Sequence, residues 1–437
     1  MEKNIALFWF RRDLRLHDNA ALFAALSGNN PVLPVYVFDS EILEKLPSKR
    51  DARVLFIHRE LIELKKQLEV FGSSLLVYYG RPIDAFKYFK ERFGNIVSVF
   101  ANRDYEPYSI NRDKEVEKYL AENNIQFHSC KDHVVFEKDE VLKADGTPYT
   151  VFTLYSKRWK KTLKSGDLNS FASEEKLKNL FETGPQRFPS LGEIGFEDFD
   201  FVFPGKFVGN NAIARYGEQR DFPAVKGTSR LGTHLRFGTI SIRELTRQAL
   251  HHGEVFLNEL IWRNFFIQIM AHFPYVVEGP FKKQYSFIPW RNNEKEFEKW
   301  CRGETGYPMV DAGMRELNET FFMHNRVRMV TASFLTKHLL IDWRWGEAYF
   351  AHKLLDFELA SNNGNWQWAA GTGCDAAPYF RVFNPEMQQQ KFDTEGKYVT
   401  KWVPEAGTIA YPSPIVDHKM ARNRAVEIYK MALAGSS

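Results

Sequence analysis

Two parts with different periodicities are expected, an N-terminal α/β domain built on a parallel sheet and an all-α C-terminal domain. Three observations predict this. Residues 5–10, 32–38, 75–79 and 96–101 are short apolar runs, each followed by a helix-length segment such as 53–71. Such alternation is the pattern of a parallel sheet with helices on both faces. Beyond Asn210 the pattern is helical almost throughout, with no convincing alternating strand up to about Tyr379. Between the two, from about 125 to 203, periodicity fades, and Asp145-Gly146, Gly184-Pro185 and Pro204-Gly205 mark turns. The expected division is therefore 1–130 for the α/β domain, 131–203 for a surface connection and 204–437 for the helical domain. A connection of that length is unusual inside one compact domain and reads as a strap between two.

At 437 residues the chain exceeds one ordinary core and has room to bury a large ligand. A net charge of +4 is only mildly basic, so binding to nucleic acid would need a local basic face rather than a global one. Cys130, Cys301 and Cys374 are too few and too scattered for a disulfide framework or a zinc cluster, so a reducing cytoplasm and no metal are expected. There is no signal-peptide pattern, and no apolar segment is long enough to cross a bilayer, which fits a soluble, unexported protein. No Gly-x-Gly-x-x-Gly follows the first strand, so a dinucleotide held in the usual Rossmann manner is not supported. Arg11, Arg12 and Arg15 stand at that strand end instead, where open α/β sheets bind ligands. A ligand site and a solvated loop fit them equally well.

The least ordinary composition lies between 323 and 392, centred on Asp356-Phe357-Glu358-Leu359-Ala360-Ser361-Asn362-Asn363-Gly364-Asn365-Trp366-Gln367-Trp368. Amides, a glycine and tryptophans sit where Leu, Ala or Glu would favour a helix and pack as well, which points to a bound planar, hydrogen-bonding group. Upstream, Val327, Val330 and Phe334 make a core stripe and leave Asn325, Arg328 and Met329 together on another face. Six of the ten tryptophans fall between Trp290 and Trp368, although any single tryptophan is more often core than function. Glu259, Trp262 and Arg263 lie at helical spacings that place a carboxylate, a stacking platform and a cation on one face. Gly227-Thr228-Ser229-Arg230-Leu231-Gly232 puts two hydroxyls and free amides at a predicted helix start, an anion site suited to a pyrophosphate. An isolated Thr-Ser of this kind reads first as an ordinary N-cap.

Several phrases, in one order along nearly the whole chain, carry a resemblance to a known family. They are Trp9-Phe10-Arg11-Arg12-Asp13-Leu14-Arg15-Leu16-His17-Asp18-Asn19, Arg220-Asp221-Phe222-Pro223, Gly227-Thr228-Ser229-Arg230-Leu231, Glu259-Leu260-Ile261-Trp262-Arg263, Thr305-Gly306-Tyr307-Pro308 and the stretch centred on Asn362. The chain resembles the photolyase/cryptochrome family, and within it the class I photolyases that repair cyclobutane pyrimidine dimers. The resemblance implies a flavin adenine dinucleotide held in a bent form by the helical domain. Its phosphates would lie on Thr228, Ser229, Arg230, Leu231 and Gly232, with Tyr216 and Phe256 nearby. Arg328 and Asp356 would pair beside the flavin ring, with Phe357, Glu358 and Asn362 completing the contacts and Asn362 facing the reactive ring nitrogen. Glu358 departs from the aspartate of many relatives, so Asp356 is the better expected contact.

The same resemblance implies that Trp290, Trp343 and Trp366 relay an electron to the flavin, with Trp300 and Trp345 the members most easily confused with them. It places a flipped dimer against Glu259, Trp262, Arg263, Asn325, Arg326, Met329 and Trp368, and the DNA strand against Arg220, Arg326 and Gln388. Glu259, Asn325 and Asn362 are the expected catalytic residues. The implied activity is light-driven repair: reduced, excited flavin gives an electron to the dimer, the cyclobutane ring splits and the electron returns. The implied protein is a cytoplasmic monomer whose partner is damaged DNA. Asn325 and Met329 stand where a (6-4) enzyme would be expected to carry a histidine pair, Trp368 is absent from DASH-type cryptochromes, and a signalling cryptochrome would carry a long tail beyond the helical domain. A dark flavin oxidoreductase would need a nicotinamide motif, and none is present. For an antenna chromophore, Glu106 falls where folate-binding relatives place a glutamate, but 275–283 lacks the usual Cys-Lys contact. Folate, a deazaflavin, a second flavin or no antenna at all remain open.

Overall fold

The computed structural model describes residues 4–434. Strands β1 (Ile5–Phe10), β2 (Val32–Asp39), β3 (Leu76–Gly80), β4 (Ile96–Asn102) and β5 (Gln126–Cys130) form one parallel sheet in the order β3-β2-β1-β4-β5. β1 and β2 are buried at every position, which is why both read as unbroken apolar runs. β5 was not expected as a strand. It is a half-exposed edge strand, Gln-Phe-His-Ser-Cys, with no apolar run to mark it.

Helices α1 (Ala20–Leu26), α2 (Ser40–Leu43), α3 (Ala52–Glu69), α4 (Pro82–Phe93) and α5 (Pro107–Glu122) connect the strands. Asn19 and Asp51 cap α1 and α3 with their side-chain oxygens, and Pro82 and Pro107 open α4 and α5, where a missing N–H costs nothing. Alternate side chains of β1 (Ile5, Leu7, Trp9) join Phe86 and Phe89 of α4 and Val116 and Leu120 of α5 in one core.

The remaining helices follow in order: α6 (Phe152–Thr162), α7 (Asn210–Ala214), α8 (Tyr216–Gln219), α9 (Gly232–Phe237), α10 (Ile242–His252), α11 (Glu254–His272), α12 (Glu294–Arg302), α13 (Pro308–Thr320), α14 (Asn325–Ser333), α15 (Trp343–Lys353), α16 (Leu359–Ala370), α17 (Pro385–Phe392), α18 (Lys397–Trp402) and α19 (His418–Ala434). Among the described residues no helix is long and apolar enough to cross a membrane.

The described chain forms two compact units, and it passes back and forth between them. One contains the residues up to 140 with 162–208 and 230–251; the other contains 141–161, 209–229 and the residues from 252 onward. This differs from the division expected from sequence. The stretch 131–203 is not a bare strap, since it contains α6, whose Tyr155 and Trp159 are buried one turn apart. Residues 230–251, expected in the helical domain, cluster with the sheet instead. A buried ionic network accounts for that. Arg243 of α10 reaches Asp18 at 2.8 Å and Asp132 at 2.7 Å, and Asp132 also holds Arg15 at 2.6 Å.

Arg11, Arg12 and Arg15 form neither an open ligand cradle nor a solvated loop. Each already faces a carboxylate: Arg11 meets Asp113 at 2.5 Å, Arg12 meets Asp104 at 3.1 Å and Glu106 at 2.9 Å, and Arg15 meets Asp132.

In the second unit Val327, Val330, Phe334, Trp343 and Trp366 share a core with Trp300, Met309 and Leu317. α16 packs on α11 and α15 through two glycines. A Cβ on Gly364 would lie 2.1 Å from Phe266 of α11, and one on Gly346 of α15 would lie 2.1 Å from Trp366. The glycine that looked out of place in the sequence is where two helices meet most closely.

Candidate active site

Between α14, α15, α16 and the turn before α16 lies a cavity enclosing ≈ 590 Å³ of empty space open to solvent. Asn325, Arg328 and Met329 enter it from one face of α14, because Val327 and Val330 turn the opposite face into the core. Asp356, Phe357 and Glu358 come from the turn, and Asn362, Trp366 and Trp368 from α16. Nine of the residues singled out in the sequence thus share one site.

Arg328 is fixed on two sides. Its Nε donates to the Met323 carbonyl at 2.8 Å, and its Nη2 donates to both Asp356 oxygens at 3.1 and 2.9 Å. Its Nη1 has no hydrogen-bond partner among the described residues, so that donor is left for a group in the cavity. Both side chains keep some solvent, 25% for Arg328 and 18% for Asp356.

Asn362 is oriented by a residue that the sequence reading missed. Its Nδ2 donates to Oε1 of Glu347 at 2.7 Å and to the Glu347 carbonyl at 3.1 Å, which turns its Oδ1 away as a free acceptor. Burial raises the pKa of Glu347, and the Asn362 hydrogen bond opposes that shift. Nothing in the sequence marks Glu347 except that it lies one helix away. The other amides of the stretch divide by task. Asn363 and Gln367 donate to the Val276 carbonyl at 3.0 Å and so serve the fold rather than the cavity.

Glu259, Trp262 and Arg263 share a helix but turn to three different partners. Glu259 pairs with Arg220, Arg263 pairs with Glu358 at 2.9 Å, and the ring of Trp262 lies parallel to Phe152, 3.6 Å between centroids and 4° between planes. Ser361 donates to the other oxygen of Glu358 at 2.9 Å. The longer carboxylate at 358 therefore ties α11 to α16 at the cavity wall. Burial raises the pKa of Glu259 and Arg220 opposes it. Arg220 also lies over the Tyr216 ring at 5.5 Å, and Tyr216 meets Phe256 edge-on at 5.2 Å, so these four residues form a second cluster. Arg326 holds Asp221 at 2.7 Å and stands 4.2 Å over Phe392. Gln388 keeps a buried amide oxygen with no hydrogen-bond partner.

The expected pyrophosphate segment differs from its sequence reading in one respect. Helix α9 starts at Gly232 with Leu231 at the N-cap position, so Thr228 and Ser229 lie three and two residues ahead of the position at which a capping hydroxyl would stand. Both are half-buried, Gly227 and Leu231 are buried, and Arg230 is exposed with a φ of +53°. Among the tryptophans, Trp343 and Trp366 are buried and Trp290 is half-buried. Trp366 meets Phe350 at 5.0 Å and Trp300 at 6.1 Å, while Trp290 meets Tyr429 at 5.9 Å.

Two family models match the chain, "DNA photolyase" over residues 6–176 and "FAD binding domain of DNA photolyase" over 256–410. The deoxyribodipyrimidine photo-lyase of Escherichia coli is 37% identical over 98% of this chain and 99% of that protein. The chain belongs to the DNA photolyase family. Among solved structures, a bacterial class III photolyase from Agrobacterium tumefaciens superposes with a TM-score of 0.86 at 33% identity, covering 99% of this chain and 98% of that one. An archaeal photolyase from Sulfolobus tokodaii with two FAD molecules superposes with a TM-score of 0.81 at 36% identity, covering 98% of this chain and 99% of that one.

A photolyase of this family needs a place for FAD, and the cavity inside the matched FAD-binding region suits its ring system. Apolar walls from Ala332, Phe350, Trp366 and Ala369 enclose a free guanidinium donor on Arg328 and a free amide acceptor on Asn362. That is the donor and acceptor set a flat heteroaromatic with polar edges requires. For a second chromophore, Glu106 is already engaged. Its Oε1 accepts from Arg12 at 2.9 Å and from Arg236, so a folate contact there would share the carboxylate with two arginines.

Proposed function

We propose that this photolyase binds FAD in the α14–α16 cavity and repairs cyclobutane pyrimidine dimers in DNA under light. The observation that carries the reading is the cavity itself. A fixed Arg328–Asp356 pair and the acceptor of Asn362 stand beside the amide of Asn325, the thioether of Met329 and the indole of Trp368. FAD, when bound, reduced and excited by light, supplies the electron that opens the cyclobutane ring and takes it back.

The residues of the chain do the rest. Arg328 offers fixed positive charge to an anionic ring, and Asp356 keeps that guanidinium from being left unpaired. Asn325, Met329 and Trp368 receive the extruded bases, because chemistry on a base requires taking it out of the stack. Glu259 bonds the thymine edge once Arg220 turns to phosphate, and Trp262 offers a stacking surface. Thr228 to Gly232, with Tyr216 and Phe256, hold the phosphates and adenine side of FAD. Trp366, Trp343 and Trp290 carry electrons inward to restore the reduced cofactor. The protein acts as a cytoplasmic monomer.

The test is a titration of intact and dimer-containing DNA, followed by illumination of the flavin-reduced protein and counting of restored thymines. Stacking is worth about 1–3 kcal/mol per base. Unstacking an intact pair costs a few kcal/mol more than a distorted lesion. Both favour damaged DNA, and Trp262→Ala should lower affinity for it by about tenfold or more while changing affinity for intact DNA little. Equal affinity of the parent for both DNAs, with no dimer lost under light, rejects the repair reading in favour of a photoreceptor.

A further inference from the structure

Helix α6 carries Lys157, Arg158, Lys160 and Lys161 within a single stretch of five residues. Taking Lys157 as the origin, the other three lie at about 100°, −60° and 40° around the helix axis. The buried residues Tyr155, Ser156 and Trp159 occupy the opposite side. Trp159 anchors that side by donating its indole N–H to Asn264 at 3.1 Å, and Ser156 donates to Asn258 at 3.2 Å. Lys160 pairs with Glu254 at 2.7 Å. Lys157, Arg158 and Lys161 are exposed and have no ion pair or hydrogen bond among the described residues.

A basic face alone is usually just a solvated surface, but two observations give this one a partner. The helix begins at Phe152, whose ring is stacked on Trp262 at 3.6 Å. The free cations therefore follow about 7–14 Å along the axis from Phe152, the residue stacked on the indole assigned to the extruded base. In addition, the arginines assigned to the DNA strand are already occupied, Arg220 by Glu259 and Arg326 by Asp221. A phosphate must displace a carboxylate to reach them, whereas on α6 it need displace only solvent and counterions.

We infer that the exposed face of α6 binds phosphates of the duplex beside the flipped dimer, through Lys157, Arg158 and Lys161. This rests on the reading of Trp262 as a base-receiving residue. Duplex DNA carries one charge per about 1.7 Å of axis, so a face of this length can meet several phosphates. Such cations read neither sequence nor damage; they hold the duplex in place while the pocket selects the lesion.

Lys157→Ala, Arg158→Ala, Lys161→Ala and the triple variant should be titrated against intact and dimer-containing duplexes between 50 and 200 mM salt (about a fourfold range). The slope of log affinity against log salt should fall by about 0.9 for each phosphate that is no longer neutralised, which removes about 3.5-fold of the affinity drop across that range. Affinity for both duplexes should fall by the same factor, leaving their ratio, the flavin content and the repair per bound dimer unchanged. Lys157→Arg with Lys161→Arg should keep the parental slope. A triple variant with the parental slope overturns the inference, as does one that weakens only dimer-containing DNA. If the parent itself repairs nothing and shows no preference for dimers, the reading of the cavity fails instead.

Discussion

Arg328 and Asn362 show how a side chain is given one orientation by its neighbours. Removing Asp356 leaves the Arg328 guanidinium with its Nε bond to Met323 but without its counter-charge. Loss of one partner costs about 3–5 kcal/mol when a pair is fully buried. Here partial exposure screens the loss, so Asp356→Ala should cost about 1–3 kcal/mol. It should also release FAD, which absorbance of the purified variant and its urea midpoint would measure. A variant that keeps parental flavin and stability shows that Asp356 serves neither.

Glu347 offers a test by pH. Burial raises its pKa when folded, so the folded state holds that proton more tightly than the unfolded chain. The stabilisation is complete below the unfolded value and is lost as pH rises through the raised folded value. Glu347→Gln keeps an acceptor for Asn362 and removes the titration. Its melting temperature should therefore vary less with pH than that of the parent as pH rises from the ordinary carboxylate range through the raised value. Because a glutamine can also donate, the flavin spectrum should shift if Asn362 turns. Parallel melting curves for parent and variant would remove Glu347 from the account.

At the scale of elements, the cavity depends on how closely α16 approaches α11 and α15. Gly364 allows the approach to Phe266, and Phe266 in turn lies against Trp262 at 5.3 Å. Gly364→Ala places a methyl where a ring now stands, an overpacking worth about 1–3 kcal/mol. The better helix propensity of alanine returns only about 1 kcal/mol. Thermal unfolding should show the deficit, and the titration of dimer-containing DNA should weaken as Phe266 pushes on Trp262. A variant at least as stable as the parent would mean that Phe266 moves aside freely. The ion pair of Arg263 with Glu358 crosses the same helix interface, so helix position and cavity wall are linked through charge as well as packing.

The unit that contains the sheet is held by charge at its buried end. Burial disfavours ionised Asp132, but Arg15 and Arg243 outweigh it and hold its pKa at about 2. Since the folded value lies below the unfolded one, the stabilisation is present above the unfolded pKa of about 4 and is lost as pH falls through about 2. Asp132→Ala leaves Arg15 buried without its carboxylate and should cost about 3–5 kcal/mol at neutral pH. The deficit relative to the parent should shrink as pH falls from about 4 to about 2, as followed by chemical unfolding at each pH. A deficit that stays constant over that window would show that the ion pairs contribute nothing.

Four of the five strands were legible in the sequence because each carries a run of mostly apolar residues, unbroken over β1 and most of β2, which are buried at every position. β5 was not: both β3 and β5 are edge strands, but β3 keeps Leu76, Val77, Tyr78 and Tyr79 in a row, whereas Gln126, His128 and Ser129 leave β5 no apolar run. Asn325, Arg328 and Met329 could be grouped from helical spacing, and the turn and α16 from their odd composition, since local periodicity determines which side chains share a face. Partners across helices were not legible: Glu347 for Asn362, Phe152 for Trp262, and the carboxylates that occupy Arg220, Arg326 and the three arginines after β1. The sequence by itself determined the two-part architecture, the family and the residues that crowd one cavity. Only the tertiary structure decided which charges are already neutralised and which, on α6, remain free, because pairing depends on distances between segments that sequence spacing does not contain.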